Sequence, residues 1–497
     1  MITRYSQSMS KENKSIVSNS LFYFIYNTLN ILFPLVTGIY VARVLLPINI
    51  GQFESAKNLA QYFIILSFLG IPTYGLREIS KARHNKENLD KIYSELFIIN
   101  GISTSVFSVA YFALILFVPY YHSNLLLFSI TGFSIILNFL NNSWLYEGLE
   151  EFKYISIRNI IFKAISFVLL VIFVRKQSDY YWYAIITIIG TAGNYFFNVL
   201  RARKLVHFSF KNINLKRHLK PIFFLAAVNF AIEIYLLVDV TMLGFMCGEE
   251  IVAYYSYGMK IYRILLQVVN IFTIVTVPRL ALYYKENDEN GFNSLTSKTL
   301  KAILLLAIPV IVGIWFTSDC LLTFVYGNDY IRSSIVLKIL SLILVISPIG
   351  YLLGSRMLLI TGNENKMIIP VACGALTNVL ANIVLIYYFN EIGAAIASLI
   401  GEIVVMTIYI FLGRKKYKIV DFWSGFWKII VSTTVMAMLL IGISFIPLNK
   451  LYITLIQIVA AVLTYFTVLV LLKESTVLLV IDRFFKLSRR KKQKTIS

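Results

Sequence analysis

Apolar runs long enough to cross a bilayer recur along the whole chain, and short polar segments separate them. A helix needs about 20 residues at about 1.5 Å each to span the hydrocarbon. The runs predict fourteen transmembrane helices, placed at 16–42, 50–75, 93–118, 123–146, 155–174, 180–200, 219–245, 251–277, 299–317, 331–360, 367–388, 391–412, 425–446 and 451–472. The chain is therefore predicted to be an all-α polytopic membrane protein.

Composition supports the membrane assignment and excludes an ordinary soluble domain. Of the 497 residues, 58% are hydrophobic and only 14% are charged, whereas soluble domains carry about 25% charged residues. The polar N-terminus leads into a long apolar run without a small-residue cleavage site, so no cleavable signal peptide is predicted. The net charge of +21 would suggest nucleic acid as the partner of a soluble protein. Here we expect it to reflect orientation in the membrane, with no nucleic-acid partner.

The basic residues fix the predicted orientation. With a cytoplasmic N-terminus, the inside segments collect the largest basic clusters, at 77–91, 201–220, 414–418 and 473–494. The outside loops then hold only Arg175, Lys176, Arg332 and Lys450. Because Lys and Arg are enriched in cytoplasmic loops, both termini are predicted to be cytoplasmic. The tail, with its SRRKKQK end, is predicted to rest on anionic lipid.

A weak internal repeat divides the chain into halves. The segment IGQFESAKNLAQYF, from Ile50, aligns with VAYYSYGMKIYRIL, from Val252, at an offset of 202 residues. At the same offset Arg77 aligns with Arg279, and Asn27 aligns with Asn229. We predict a six-helix lobe at 1–215, a second at 216–415 in a pseudo-twofold arrangement, two peripheral helices at 416–473 and a basic tail at 474–497. Transporters commonly place a binding site between such halves.

Predicted helix 8 carries a polar stripe. Its members recur at spacings of three and four residues, which puts them on one helical face: Ser256, Lys260, Arg263, Gln267 and Asn270. Helix 2 has a shorter counterpart in Glu54, Asn58 and Gln61, with Lys57 alongside. A charge at mid-bilayer costs about 3 kcal/mol or more on insertion scales, so it should face a partner or a water-filled cavity. Asn27 and Asn229 are predicted to add to the polar lining.

Basic residues outnumber acidic ones within the predicted spans. The deep cations predicted to bind substrate are Lys57, Lys163, Lys260, Arg263 and Lys338. The deep acids are Glu54, Glu233, Asp239 and Glu402. Buried ion pairs with these acids could neutralise individual cations, but they would still leave an excess of positive charge. Such a cavity would attract an anion such as a diphosphate.

No catalytic constellation stands out. The cysteines Cys247, Cys320 and Cys373 are far apart and show no metal-binding spacing. The histidines lie in or near loops, and no phosphate-binding G-x-x-x-x-G-K-[ST] loop occurs. The chain is predicted not to be an enzyme, with no catalytic residue, metal or cofactor. A membrane glycan polymerase or transferase would need a large catalytic loop, and the predicted outside loops are short.

Several segments resemble one family of membrane transporters. They are GIPTYGLREISKAR at 70–83, WLYEGLEEFKYISIRNII at 144–161, YYSYGMKIYRILLQVVNIFTIVTVPRLA at 254–281, TGNENKMIIPVACGALTNVLANIVLI at 361–386 and IGAAIASLIGEIVV at 392–405. Together they resemble the Wzx-type polysaccharide repeat-unit flippases of the multidrug/oligosaccharidyl-lipid/polysaccharide exporter superfamily. Glu147 stands where the commoner form of its motif has Gln.

The resemblance implies a fold and a substrate. The fold would be two six-helix lobes around a central cavity, plus two peripheral helices, in a bacterial cytoplasmic membrane. The substrate would be an oligosaccharide on undecaprenyl diphosphate, moved to the outer leaflet by alternating access for capsule, O-antigen or exopolysaccharide synthesis. Polysaccharide polymerase and export proteins would be its partners. By helix position, Lys57, Lys260 and Arg263 match the basic cavity residues of relatives, and Lys163 and Lys338 match less directly.

Two questions stay open at the level of sequence. Glu233, Asp239 and Glu402 are candidates to bind a coupling H⁺ or Na⁺, because a desolvated carboxyl group can titrate near neutral pH. They could equally be pair partners of the basic residues. A cation-coupled exporter of drugs or other small molecules with the same fold is the alternative function, but it would favour an acidic cavity.

Overall fold

The computed structural model describes residues 30, 32–209, 213–414, 416–420, 423–447 and 449–478, and within these ranges every regular element is helical. Twelve segments of the described chain are long and apolar enough to cross a membrane. The predicted all-α membrane fold is thus confirmed, while the count of fourteen stays a prediction. One of the twelve, Glu364–Gly413, has 50 residues and would be about 75 Å long as one straight helix. It is broken at Asn390, where two helices meet.

The chain forms two compact units that divide between Ala253 and Tyr254. Unit 1 therefore contains the helix from Lys216 to Cys247, which the sequence assigned to the second lobe. The division falls inside the helix that carries the polar stripe. The predicted lobe boundaries themselves stay a prediction.

Unit 1 is built from eleven described α-helices and the first turn of a twelfth. They are α1 (Leu32–Val44), α2 (Pro47–Phe68), α3 (Ile71–Ala82), α4 (Lys86–Phe117), α5 (Pro119–His122), α6 (Leu125–Asn138), α7 (Ser143–Gly148), α8 (Phe152–Phe173), α9 (Tyr180–Ala192), α10 (Tyr195–Leu205) and α11 (Lys216–Cys247). Helix α2 is central and packs against α4, α6 and α11, while α8 packs against α9. An apolar core around Trp144 and Leu96 joins α3, α4 and α7.

Unit 2 holds most of α12 (Glu249–Lys285) and the remaining helices. These are α13 (Glu289–Tyr326), α14 (Ser333–Ser341), α15 (Ile343–Gly350), α16 (Met357–Ile360), α17 (Ile368–Gly413), α18 (Trp423–Ser444) and α19 (Lys450–Leu471). A π-helical segment, Tyr351–Arg356, joins α15 to α16. Helix α13 extends beyond the predicted span at 299–317 at both ends. At its N-terminus the Asp288 carboxylate caps the helix by accepting a hydrogen bond from the Gly291 N–H at 2.8 Å.

The two helices predicted to be peripheral, α18 and α19, pack against each other and against α13. Their shared core includes Leu440, Tyr465 and Leu469, with Leu305 and Phe316 of α13 beside it. The Tyr465 hydroxyl donates a hydrogen bond to the Leu305 carbonyl at 2.7 Å. The basic end of the predicted tail, from 479 onward, lies outside the described residues.

Asn390 makes the sharp turn that divides α17. Its backbone has φ 49° and ψ −127°, a region that glycine adopts easily and that a β-branched side chain resists. Asn390→Val is expected to lower the free energy of unfolding by about 1–2 kcal/mol. Thermal unfolding in detergent measures the loss, with Asn390→Gly as the matched variant that should keep or raise stability. Equal melting temperatures for the two variants would contradict this account of the turn.

Candidate functional site: a basic cavity in unit 1

Three candidate spans of unit 1 are interrupted within their length. Helix α2 ends before Leu69, which has φ 52°, and α3 begins at Ile71. Helix α6 ends at Asn138 before α7 begins, and α9 gives way to α10 at Gly193 and Asn194. Non-helical backbone at membrane depth is tolerated where it is buried in protein or lines a water-filled cavity. The breaks therefore mark where a polar site can lie.

Two of the breaks have a local cause in the sequence. Pro72, near the start of α3, has no N–H group and cannot continue a helical hydrogen-bond ladder from α2. After α6, the Asn141 side chain accepts hydrogen bonds from the backbone N–H of Ser143, at 3.3 Å, and from its hydroxyl, at 2.6 Å. Such side-chain bonds compete with helical backbone pairing.

A cavity of about 460 Å³ lies at these three breaks. Residues from all three interrupted spans line it, together with residues of α1 and α8. The lining residues are Asn30, Phe33, Pro34, Phe68, Pro72, Asn141, Ser143, Trp144, Glu147, Arg158, Asn159, Lys163, Gly190, Thr191 and Tyr195. The size is within the range of about 300–1,000 Å³ that is usual for small-ligand sites.

Among the described lining residues, the ionisable groups are two cations, one carboxyl group and the Tyr195 phenol. Lys163 of α8 donates a hydrogen bond from Nζ to the Asn30 side-chain oxygen, and its Nζ lies 5.5 Å from the centre of the Phe33 ring. Arg158, also of α8, is only 7% exposed. The third group is Glu147 of α7. The formal charge of the lining is therefore positive, which favours an anionic ligand.

Hydrogen-bond donors without partners lie in the cavity wall. The Arg158 Nε and Nη1 atoms and the Trp144 Nε1 atom are buried, and none has a hydrogen-bond partner among the described residues. Because buried donors in proteins almost always have partners, this arrangement indicates groups that a ligand or water would satisfy. A guanidinium and an indole N–H are both suited to donate to phosphate or sugar oxygens.

The positions of the lining side chains are fixed by packing and hydrogen bonds. Trp144 is held by close contact with Gly75 of α3, where an added Cβ would lie 2.8 Å from the indole ring. The Asn194 side chain at the α9–α10 break donates a hydrogen bond to the Asn159 side-chain oxygen at 2.9 Å. The site is therefore built from elements that the fold holds in place.

Of the substrate-binding cations predicted in unit 1, only Lys163 lines this cavity. Lys57 is half exposed and forms an ion pair with Glu54 at 3.2 Å, on the same helix. Asn58 joins α2 to α11 by donating hydrogen bonds to the Leu237 carbonyl, at 3.1 Å, and the Thr241 hydroxyl, at 2.8 Å. Gln61 and Asn229 are partly buried. Asn27 lies outside the described residues.

The predicted stripe of unit 2 lies along one helix, α12. Ser256 is buried, Arg263 and Gln267 are exposed, and Asn270 is partly buried. The Lys260 Nζ atom sits 4.0 Å above the centre of the Tyr257 ring. Lys338 of α14 forms an ion pair with Asp319 of α13 at 2.7 Å. Tyr257 itself packs edge-to-face on Tyr326, so aromatic packing explains why a tyrosine stands at this position.

The acids considered for ion coupling lie on α11 and α17. Asp239 is buried on α11 and lies close enough to Tyr62 to act electrostatically on its hydroxyl. Glu233 is partly buried on α11, and Glu402 of α17 acts electrostatically on Tyr262, as does Arg263. Among the described residues, no three or more His, Cys, Asp or Glu side chains form a group that could hold a metal ion.

Sequence reasoning missed four important cavity residues: Trp144, Glu147, Arg158 and Asn159. Arg158 lies only three residues inside the predicted helix at 155–174, whereas the structure begins this helix at Phe152. The available signal was spacing. Asn159 and Lys163 are four residues apart, which places them on one face of α8.

Comparisons with known proteins agree with the fold and with the resemblance seen in the sequence. The sequence profile of the family described as "Polysaccharide biosynthesis protein" matches residues 16–284. A relative named as an O-antigen transporter, from Escherichia coli (strain K12), is 24% identical over 413 residues, which cover 82% of this chain and 98% of the relative. A flippase named Agl15, from Haloferax volcanii, is 23% identical over 47% of this chain and 49% of its own length.

Among solved structures, the inward closed conformation of the lipid II flippase MurJ superposes with a TM-score of 0.71, at 19% identity, covering 90% of this chain and 97% of that chain. At this identity the likeness shows the fold. The relatives are named as transporters and flippases, in agreement with the prediction that the chain is not an enzyme.

Proposed function

Because this chain belongs to the polysaccharide biosynthesis protein family, we propose that it is a flippase for a lipid-linked oligosaccharide. The proposed substrate is a repeat unit on undecaprenyl diphosphate, which moves from the cytoplasmic to the outer leaflet of a bacterial cytoplasmic membrane for surface polysaccharide synthesis. The names of the relatives support the class of activity. The observation that carries the proposal is the cavity with Arg158 and Lys163.

The charges of the cavity suit a diphosphate. A diphosphate cannot enter hydrocarbon without compensation, because an isolated charge there costs several kcal/mol. Arg158 can donate two parallel hydrogen bonds to phosphate oxygens, and Lys163 can act as a point charge. Both belong to α8, are about 7.5 Å apart along the helix axis and line the same cavity, so we expect one diphosphate to contact both.

The remaining lining suits the sugar nearest the diphosphate. Side-chain amides and hydroxyls of Asn141, Ser143, Asn159 and Thr191 can exchange hydrogen bonds with sugar hydroxyls. The rings of Trp144 and Tyr195 add aromatic surface. Because the cavity is about 460 Å³, we expect it to hold the diphosphate and the first sugar, while the rest of the glycan stays in water.

Transport would follow alternating access, with further cations contacting the anionic substrate during the cycle. For this role we retain Lys57 of unit 1 and Lys260, Arg263 and Lys338 of unit 2. Glu233, Asp239 and Glu402 remain the proposed sites for a coupling H⁺ or Na⁺. We also propose that the N-terminus and the C-terminus are both cytoplasmic, because the predicted inside loops carry most of the Lys and Arg residues.

Export of cationic drugs is the alternative for this fold, and the cavity disfavours it. A binding site for cations would be lined by an excess of acids, whereas here Glu147 faces two bases. A glycan polymerase is not favoured either, because none of the relatives reported above is named as an enzyme.

Deleting the gene in its own host tests the proposal. The deletion strain is expected to lose surface polysaccharide and to accumulate lipid-linked oligosaccharide that enzymes added outside the cell cannot reach. Immunoblotting of the polysaccharide and mass spectrometry of extracted lipids measure the two effects, and a plasmid copy of the gene should reverse both. Normal polysaccharide together with increased sensitivity to cationic drugs would instead support the exporter.

A further inference from the structure

A groove of about 730 Å³ runs between α8 and α10 on unit 1. Its apolar wall is formed by Ile157, Ile161, Phe162 and Phe197, and its polar end by Glu150, Glu151, Lys153, Tyr154, Arg158 and Arg201. Ile157 and Ile161 are 41% and 50% exposed. The groove thus joins an accessible apolar strip to a cluster of charges, which is the layout that a lipid with a charged head group requires.

Arg158 connects this groove to the basic cavity. It lines both spaces, although its side chain is almost completely buried. Its guanidinium and that of Arg201 both lie over the ring of Tyr154, at 5.2 Å and 4.2 Å from the ring centre. Arg158 therefore lines the groove together with Arg201 and lines the cavity together with Lys163.

The seam between α8 and α10 also contains buried polar atoms without partners. Within the described part of the chain, these are Nε and Nη1 of Arg158, Nε of Arg201 and Oδ1 of Asn194. A helix seam that existed only for packing would leave few such atoms, because each unpaired group costs stability. The three guanidinium donors among them, from Arg158 and Arg201, are groups that the oxygen atoms of an anionic ligand would satisfy.

The acids of the groove are already engaged. Glu151 forms an ion pair with Arg201, and Glu150 forms one with Arg83 at 2.7 Å. Arg158 and Lys153 add two further positive charges to the same end of the groove. A phosphate group would consequently meet a net positive charge at the end of the apolar strip.

We propose that the groove between α8 and α10 is a lateral entry site for the isoprenoid diphosphate substrate. This inference rests on the proposed flippase function. The isoprenoid chain lies along Ile157, Ile161, Phe162 and Phe197, and the diphosphate binds Arg201 and Arg158. The head group then passes Arg158 into the cavity, where Lys163 receives it. Because Arg158 lines both the groove and the cavity, the transported lipid is favoured over an ordinary phospholipid as the occupant.

Photocrosslinking tests the entry site. The probe is undecaprenyl diphosphate with a diazirine in its isoprenoid chain, added to the full-length protein in lipid nanodiscs. We expect labelling of α8 and α10 around Ile161 and Phe197, mapped by mass spectrometry. Ile161→Trp fills the groove and is expected to reduce this labelling and the rate of flipping by about tenfold or more. Arg158→Gln is expected to reduce the labelling to a similar degree.

The matched control is Ile172→Trp, which changes another exposed isoleucine on α8. It should leave labelling and flipping within about twofold of wild type, in line with the small effects of surface substitutions. Competition identifies the occupant: excess undecaprenyl diphosphate should abolish the labelling, and excess phosphatidylglycerol should not. Competition by phosphatidylglycerol alone would overturn the proposal and make the groove a phospholipid site.

The entry site and the flippase function fail in different ways. If wild-type protein flips the lipid-linked substrate but Ile161→Trp flips it at the same rate, the entry site is wrong and the function stands. If wild-type protein flips no lipid-linked oligosaccharide from its host, the function itself is wrong.

Discussion

Arg158→Gln and Lys163→Gln are each expected to abolish most transport while the protein still inserts and folds. Each substitution removes charge-assisted hydrogen bonds to the diphosphate, which contribute about 1.5–3 kcal/mol and correspond to a reduction of about 10- to 150-fold. The double variant should fall below detection. Surface polysaccharide in cells and flipping in proteoliposomes measure the effect.

Stability separates a binding role for Arg158 from a structural one. Two donors of the buried guanidinium have no partner in the described structure, so the charge costs stability until a ligand binds. Arg158→Gln should therefore melt at the same temperature as wild type or higher, despite the loss of transport. A large fall in melting temperature would show that Arg158 holds the fold together.

The opposite end of α8 supplies a matched control. Arg175 and Lys176 are exposed cations just beyond that helix. The double variant Arg175→Gln/Lys176→Gln lowers the net charge of the protein by the same amount as the double cavity variant. It should transport nearly as wild type, because exposed surface charges contribute little. If this control loses as much transport as the cavity variants, net charge is responsible and the cavity is not the site.

The broken helices show how far sequence reasoning reaches. Hydropathy found the candidate spans because about 20 apolar residues suffice to identify one. It predicted one continuous helix at 123–146, whereas the structure has α6, a turn at Asn141 and then α7. Hydropathy averaged over a window of about 20 residues does not detect a turn of four residues inside an apolar run. The Asn-Asn-Ser sequence at 141–143 was the local signal for it.

The role of a charged residue depends on partners that are distant in sequence. Lys338 pairs with Asp319 on another helix, and Asn58 bonds to α11, and no spacing rule predicts either contact. Lys163 was found because it lies deep in an apolar run. Its association with Trp144 and Glu147 arises from the way that α7 and α8 pack, which only the fold specifies.

Glu95→Ala is expected to cause one of the largest stability losses of any single substitution in unit 1. Glu95 of α4 has no exposed surface and accepts hydrogen bonds from the Asn214 N–H at 2.7 Å and the Arg217 Nε at 3.0 Å. It also contacts the His218 Nε2 at 2.8 Å, while Tyr74 contacts the other ring nitrogen at 2.9 Å. The Glu95 carboxylate thus links α4 directly to the beginning of α11, and through His218 it also links to Tyr74 of α3.

Removing this carboxylate leaves its donors without an acceptor, and we expect a loss of about 3 kcal/mol, since Arg217 is partly exposed and water can solvate part of it. Thermal unfolding in detergent measures the loss, and limited proteolysis should show faster cleavage at 206–209 and 213–215. Glu95→Gln keeps an acceptor oxygen and should lie between Glu95→Ala and wild type. Glu87→Ala removes an exposed carboxylate from the same helix and should cost less than about 1 kcal/mol. If Glu95→Ala has the same melting temperature as Glu87→Ala, then apolar packing holds α11 in place and the buried polar cluster contributes little.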